Sequence, residues 1–249
     1  MHVTARVFWA PKAGNRTEEY EDAFWPASGV NRAGDRFRFA VADGATETSF
    51  SALWAQLLVR SFGAGNLRQA HFDASLRPEQ VRWHNAVASK PLPWYAEAKV
   101  LDGAYAALLG FELYSPYPGR VKWRALAVGD CCLMQIRGDG MVASFPATEA
   151  AYFTSRPYLL SSNPGPTLAL SDHLRSAGGA ALPGDRFYLM TDALAHWFLH
   201  AAAAGDAPWR ACRTVVQGGA RRFAALVEDL RSQHKLRNDD VTFLAVELL

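Results

Sequence analysis

Four acidic positions stand beside the ends of predicted strands or turns. They are Glu21-Asp22 ahead of Ala23-Phe24-Trp25, Asp43 after Phe39-Ala40-Val41-Ala42, Asp192 after Tyr188-Leu189-Met190, and Asp239-Asp240 before Val241-Thr242-Phe243. Strands hold their neighbours rigidly, so carboxylates fixed at such ends can converge on hard divalent cations. Histidine and cysteine are absent from these four locations, which suits Mg²⁺ or Mn²⁺ better than Zn²⁺. Each acid taken alone has a plainer reading, since an Asp before a helical run commonly caps it or braces a turn. The 7 histidines are scattered, with no pair that has both metal spacing and an acidic companion, and the 8 tryptophans fall in different predicted elements and read as core.

The elements that must position these acids are legible in outline. Alternation predicts an early strand around Val3 to Trp9 and a second over 36–42 that delivers Asp43-Gly44 to a turn. A helix capped by Thr46 or Thr48 then runs to about Phe62, because Phe50, Leu53, Trp54, Leu57 and Leu58 share one face. Two more helical patterns open at Pro78 and near Pro93, the latter running through Tyr105, Leu108 and Leu109. Segments 121–128, 132–137 and 141–145 read as short antiparallel strands, the last two joined by a Gly138-Asp139-Gly140 turn. From Pro146 to about Ala181 the periodicity weakens and predicts a mobile surface segment. A strand over 186–190 then carries Asp192 into an Ala-rich helix, and two further helices precede a closing strand that begins beside Asp239-Asp240. No internal repeat is present. This order predicts an α+β protein with helices packed on antiparallel sheets.

Composition bounds the function. With 249 residues, 50% hydrophobic and 20% charged, and no Pro/Ser/Gly-rich or highly charged linker, one domain over residues 1–249 is expected. Lys+Arg 26 against Asp+Glu 24 gives a formal charge of +2, too near balance for the basic field of a nucleic-acid partner. No run approaches the roughly 18–20 consecutive apolar residues that span a bilayer, and the opening residues lack an export signal. A cytoplasmic, reducing setting without a membrane partner is therefore expected. Cys131, Cys132 and Cys212 form neither a disulfide framework nor a paired metal-ligand pattern.

Taken in order, the segments Glu21-Asp22-Ala23-Phe24, Phe39-Ala40-Val41-Ala42-Asp43-Gly44, Ala127-Val128-Gly129-Asp130, 182–192 and Asn238-Asp239-Asp240-Val241-Thr242 resemble the metal-dependent protein phosphatase 2C family. The resemblance covers nearly the whole chain. It implies two packed antiparallel β-sheets flanked by helices, a four-layer α-β-β-α sandwich, with a metal centre at one end. It further implies that Asp43 bridges two Mn²⁺ or Mg²⁺ ions, that the Gly44 carbonyl and Glu21 serve one ion, and that Asp192 and Asp239 serve the other. Asp22 would orient the attacking water, Asp130 would help hold a further, weaker metal, and Arg16 would contact the substrate phosphate. The implied reaction is hydrolysis of phosphoserine or phosphothreonine in a protein, with a Ser/Thr kinase or its target as the partner, and the short chain is of bacterial type.

The sequence also departs from that family's pattern. Ala193 follows Asp192 where the family has Gly, His196 stands where the family supplies another Asp to the weaker metal, and Asp240 replaces Asn. Asp240 is expected to add negative charge beside Asp239, strengthening cation attraction and disfavouring phosphate. Tyr20 precedes Glu21 in place of Asn, and Cys131-Cys132 replaces Ser-Arg. These changes motivate two alternatives: a phosphatase-fold signalling module that binds a phosphoprotein without turnover, and a hydrolase of a small phosphorylated metabolite.

Overall fold

In the computed structural model, which describes residues 1–46, 48, 50–89, 100–153, 157–164 and 170–249, period-two alternation sorts each strand's side chains between two faces. The strands are β1 His2–Ala10, β2 Ala23–Trp25, β3 Val30–Ala33, β4 Arg36–Gly44, β5 Tyr105–Tyr117, β6 Arg120–Val128, β7 Cys132–Arg137, β8 Gly140–Phe145, β9 Leu160–Ser161, β10 Arg175–Ala181, β11 Arg186–Met190 and β12 Val241–Leu248. Among the described residues they form two antiparallel sheets. One runs β3-β1-β12-β11-β7-β8, the other β10-β6-β5-β4-β2 with β9 beside β5.

Phe37, Phe39 and Val41 of β4 face Val3, Leu189, Leu244 and Val246 of the other sheet in the central core. Ala40 and Ala42, at the alternate positions, lie under α1 (Ser51–Ala64) and α2 (Phe72–Ala88). On the far side, Tyr188, Met190 and Phe243 pack beneath α3 (Asp192–Ala203), α4 (Pro208–Gly218) and α5 (Ala220–Ser232). The layers are helix, sheet, sheet, helix, the α+β sandwich expected from the sequence. The cysteines are buried and free, and among the described residues no helix is long and apolar enough to cross a membrane.

Local expectations fail where burial overrides periodicity. Residues 90–99, and with them the start of the helix expected near Pro93, lie outside the described residues. Its expected end is strand, because Tyr105–Tyr117 is β5, in which both Leu108 and Leu109 are buried on opposite faces. A strand covered on both sides reads as a continuous apolar run and loses its alternation. Pro78 lies inside α2, which begins at Phe72. Neither threonine caps α1: the helix starts at Ser51 after Phe50, whose φ is 62°, and the Thr48 hydroxyl donates instead to the Ala45 carbonyl. The weakly periodic 146–181 region contains β10, an edge strand paired with β6 from Arg175↔Ala127 to Ala181↔Val121. Its Ser, Ala and Gly residues give little hydrophobic signal.

Gly110, at the centre of β5, lets the Phe62 ring of α1 lie directly on the strand, since a Cβ there would fall 2.3 Å from a ring carbon. Gly110→Ala is therefore expected to cost about 1–3 kcal/mol by overpacking, measured as a lower urea midpoint with an unchanged denaturant slope.

Candidate metal centre

The alternation that buries Phe37, Phe39 and Val41 between the sheets places Asp43 on the same side of β4, at the mouth of the sandwich. Gly44 follows because space forbids anything larger: a Cβ would stand 2.6 Å from the Glu21 carbonyl oxygen. The strand end and the Glu21-Asp22 segment are thus in backbone contact. Ser51, at the start of α1, donates its hydroxyl to Glu21 Oε1.

Asp22 is 3% exposed and is gripped from the opposite sheet. Its Oδ2 accepts the Thr242 hydroxyl at 2.7 Å and the Thr191 hydroxyl at 3.0 Å, and the Thr242 amide donates to Thr191 Oγ1 at 3.0 Å. The Tyr20 hydroxyl hydrogen-bonds Thr242 Oγ1. The other oxygen, Oδ1, is buried without a hydrogen-bond partner. Burial pushes the Asp22 carboxyl well above its ordinary range, against the two hydroxyls, and nearby Asp240 and Asp192 push it further.

Asp192 opens α3, its Oδ1 accepting the Ala193 amide and its Oδ2 accepting Arg237 Nη2 at 2.7 Å. The Asp43 carboxyl lies beside it. Burial and then the charges of Asp22, Asp192, Asp130 and Asp239 push Asp43 well up. Asp130, 5% exposed, is pushed up to about 7 by burial and then by Asp192, with Arg237 opposing. The structure therefore brings Asp22, Asp43, Asp130, Asp192 and Asp239 into one electrostatic cluster. Cys131 lies against it, its thiol pushed up by burial and by Asp43, Asp130 and Asp22, so it is a neutral wall rather than a nucleophile.

Other positions take different roles. Arg16 is 81% exposed and pairs with Glu19 at 3.5 Å beside the 3-10 turn Thr17–Glu19, and it joins none of these acids. Asp240 accepts the Lys12 amide on Oδ1 and the Glu21 amide on Oδ2, both at 2.7 Å. Both oxygens are engaged by backbone N–H groups, so it braces the chain there, and its charge still acts on Asp22. Ala193 sits in the first turn of α3, where right-handed backbone suits alanine, so no strain follows from the missing glycine. His196 packs edge-on against Phe153 at 5.5 Å, and burial followed by Arg237 lowers its pKa. Sequence reasoning missed Arg237, Thr191 and Thr242, whose one signal is that each lies within two residues of Asp192, Asp239 or Asp240.

These acids, with the Arg237 guanidinium among them, are held together at a cost that a divalent cation would relieve, and an all-oxygen donor set with one orphaned buried oxygen fits a hard ion. Among the described residues no three His, Cys, Asp or Glu side chains close on a common point as a ready cage. Arg237 holds one of these oxygens, Asp192 Oδ2.

No protein-family model matches the chain, and no curated protein matches it in sequence. Solved structures do match. The serine/threonine phosphatase PstP/Ppp of Mycobacterium tuberculosis is 16% identical, with 100% of this chain and 99% of that one covered and a TM-score of 0.59. The fold is that of the PPM serine/threonine phosphatases. PppA of Pseudomonas aeruginosa shares this phosphatase fold at 18% identity, over 100% and 99% of the two chains, with a TM-score of 0.55. So does the catalytic domain of PstP in complex with 2 manganese ions, at 15% identity over 98% of each chain and a TM-score of 0.56.

The Asp130 shift fixes a pH dependence. Its folded pKa of about 7 exceeds the ordinary 3.8, so between these values the folded chain holds a proton that the unfolded chain has released. The resulting stabilisation is complete at low pH and is lost as pH rises through about 7. In chelator-treated protein, the unfolding midpoint of the wild type should fall relative to Asp130→Asn as pH rises from about 5 to about 8. The opposite trend from His196 is common to both proteins and cancels. Arg237→Gln frees Asp192 Oδ2 and is expected to tighten Mn²⁺ binding in calorimetry by about tenfold while lowering metal-free stability.

Proposed function

We propose that this chain is a divalent-metal-dependent phosphatase acting on phosphoserine and phosphothreonine in proteins. The observation that carries the reading is the cluster of buried Asp22 and Asp130 with part-buried Asp43, Asp192 and Asp239 at the mouth of a phosphatase fold. Glu21, Asp43, the Gly44 carbonyl, Asp192 and Asp239 would hold two Mn²⁺ or Mg²⁺ ions, and Asp130 a further one. When bound, such ions supply an activated water and positive charge for the phosphoryl oxygens.

The rest is the work of the chain. Thr191 and Thr242 fix one oxygen of Asp22 and leave Oδ1 free to hold a proton from the attacking water. Arg237, within the cluster, would be available to the substrate phosphate, and Arg16, exposed on the segment ahead of Glu21, would contact it as well. A cleft of about 420 Å³, lined by Gly129, Asp130, Tyr152, Tyr158, His173 and Arg175, opens beside the acids and gives room for a phosphorylated side chain on a protein. Neutral, buried thiols argue against a cysteine phospho-enzyme and agree with a reducing cytoplasm. The physiological substrate would be a phosphorylated protein, a Ser/Thr kinase or its target.

One observation favours a second reading: Arg237 occupies Asp192, as it would in a module that keeps the fold and binds a phosphoprotein without turnover. The two readings separate in one experiment. Purified protein with Mn²⁺ is expected to hydrolyse a phosphothreonine peptide, to stop when chelator is added, and to lose at least about a hundredfold in kcat in Asp43→Asn or Asp192→Asn. Absence of both turnover and calorimetric Mn²⁺ binding in a well-folded wild type would overturn the first reading.

A further inference from the structure

The second sheet carries a second charged site, of opposite sign, on its outer face. Arg38 of β4 stands opposite Glu112 of β5, and Glu112 stands opposite Arg124 of β6. Their strand neighbours Phe37, Phe39, Phe111 and Trp123 point into the central core, so these charged residues point away from it. Arg38 precedes Asp43 by five residues, which at about 3.3 Å per residue separates the two sites by about 16 Å along the strand, on opposite faces. The α1 helix ends at Ala64, and Gly65, with φ +81°, turns the chain away where a Cβ would fall 2.6 Å from the Arg38 guanidinium. Beyond that point the face lies open as a cavity of about 660 Å³.

Glu112 is 3% exposed, and burying it calls for one counter-charge. Arg38 supplies it, donating from Nε to Glu112 Oε2 at 2.9 Å. Arg124 and Arg36 approach Oε1 at 3.1 Å and 3.5 Å, yet that oxygen has no aligned hydrogen bond. Their side chains are 58% and 53% exposed, so their N–H forks remain available to another anion. Arg68 lines the same cavity, and four arginines against one glutamate leave positive charge in excess there. Phe62, Leu67 and Leu126 give the cavity an apolar wall, and Gln69 adds a polar group. Gln69 Nε2 donates to Ser176 Oγ of β10 at 2.8 Å, bridging the segment after α1 to the sheet edge beside the cavity.

We propose that this cavity binds a small phosphorylated molecule, its phosphate held by Arg36, Arg68 and Arg124 and its body resting on Phe62, Leu67 and Leu126. Planar guanidinium forks match phosphate oxygens bidentately, and the volume is that of a small-ligand site. The site needs no metal, and its occupancy is independent of hydrolysis at the acid cluster.

The test is calorimetric titration of the full chain in chelator with inorganic phosphate, adenosine monophosphate and a phosphoserine peptide. Adenosine monophosphate is expected to bind one site, more tightly than inorganic phosphate and with strong salt dependence. Arg36→Gln/Arg124→Gln should weaken it at least about tenfold, and the double lysine variant less, because charge survives but the fork does not. Asp43→Asn should bind it as wild type does, which separates this cavity from the acid cluster. The Arg38–Glu112 pair survives in the double glutamine variant, and thermal unfolding checks its fold. Arg68→Gln, at an exposed position that takes no part in the ion pairs of Glu112, provides the same comparison should that variant be unstable. No binding of either small phosphate at about 10 mM would overturn the proposal, a dissociation constant in that range being too weak for a formed site. So would unchanged affinity in all arginine variants, loss of binding in Asp43→Asn, or binding of the phosphopeptide alone.

Discussion

Mutual repulsion among buried and part-buried carboxylates is the constraint on which this molecule turns. Asp22, Asp43, Asp130 and Asp192 all carry raised pKa values, in each case through burial first and like charge second or close behind. Such a group of acids persists only where the surrounding structure holds it. Here the hold comes from the central core, where Phe39 and Phe111 stack at 6.2 Å, Phe187 packs tilted against Phe111 at 4.8 Å, and the three lock the two sheets face to face. The acids sit at the end of that stack, each on a strand end that the core fixes. The instability stored at the mouth and the stability supplied by the aromatic layer are two parts of one arrangement.

Two devices carry that rigidity from the sheets to the acids. Thr242 lies in β12 and Thr191 directly follows the neighbouring β11, and the pair reaches across to Asp22, which leads into the other sheet. Asp240 does the same for the backbone, tying the segment after β1 through the Lys12 amide and the segment before β2 through the Glu21 amide. A carboxylate can accept on both oxygens, whereas an amide side chain has one acceptor oxygen and one donor nitrogen. An Asp at this position therefore braces two N–H groups where an Asn would brace one. What reads in the sequence as an extra charge is also an extra acceptor for the chain.

The acids were legible in the sequence because strand ends announce themselves locally: an apolar alternation stops and a carboxylate follows. The same logic located β4, β7, β11 and β12. It failed at β5 and β10 for opposite reasons, the first being apolar on both faces and the second built of residues too small to signal either. The partners of the acids were not legible. Arg237 meets Asp192 across 45 residues, and Thr242 meets Asp22 across 220, so neither contact leaves a trace in local spacing. Arg16 shows the converse: a residue named by analogy of position sits at the surface with Glu19, while the guanidinium that reaches the acids comes from the other end of the chain.

Alternation along β4 also explains why composition concealed the charge pattern. Odd positions from Phe37 onward face the central core and end in Asp43, while the even positions Arg36 and Arg38 face the helices and end up uncovered where α1 stops. One strand therefore exports negative charge to one end of one face and positive charge to the other end of the opposite face. The overall balance of +2 averages two local fields that the sheet keeps apart. Between them lies a packed apolar layer without room for bulk water, so the two sites are separated by distance and by the core itself, while ions in solvent screen whatever field passes around the outside. A fold that places catalytic-type acids by strand register thus creates, by the same register and on the other side, a place where an anion can be held.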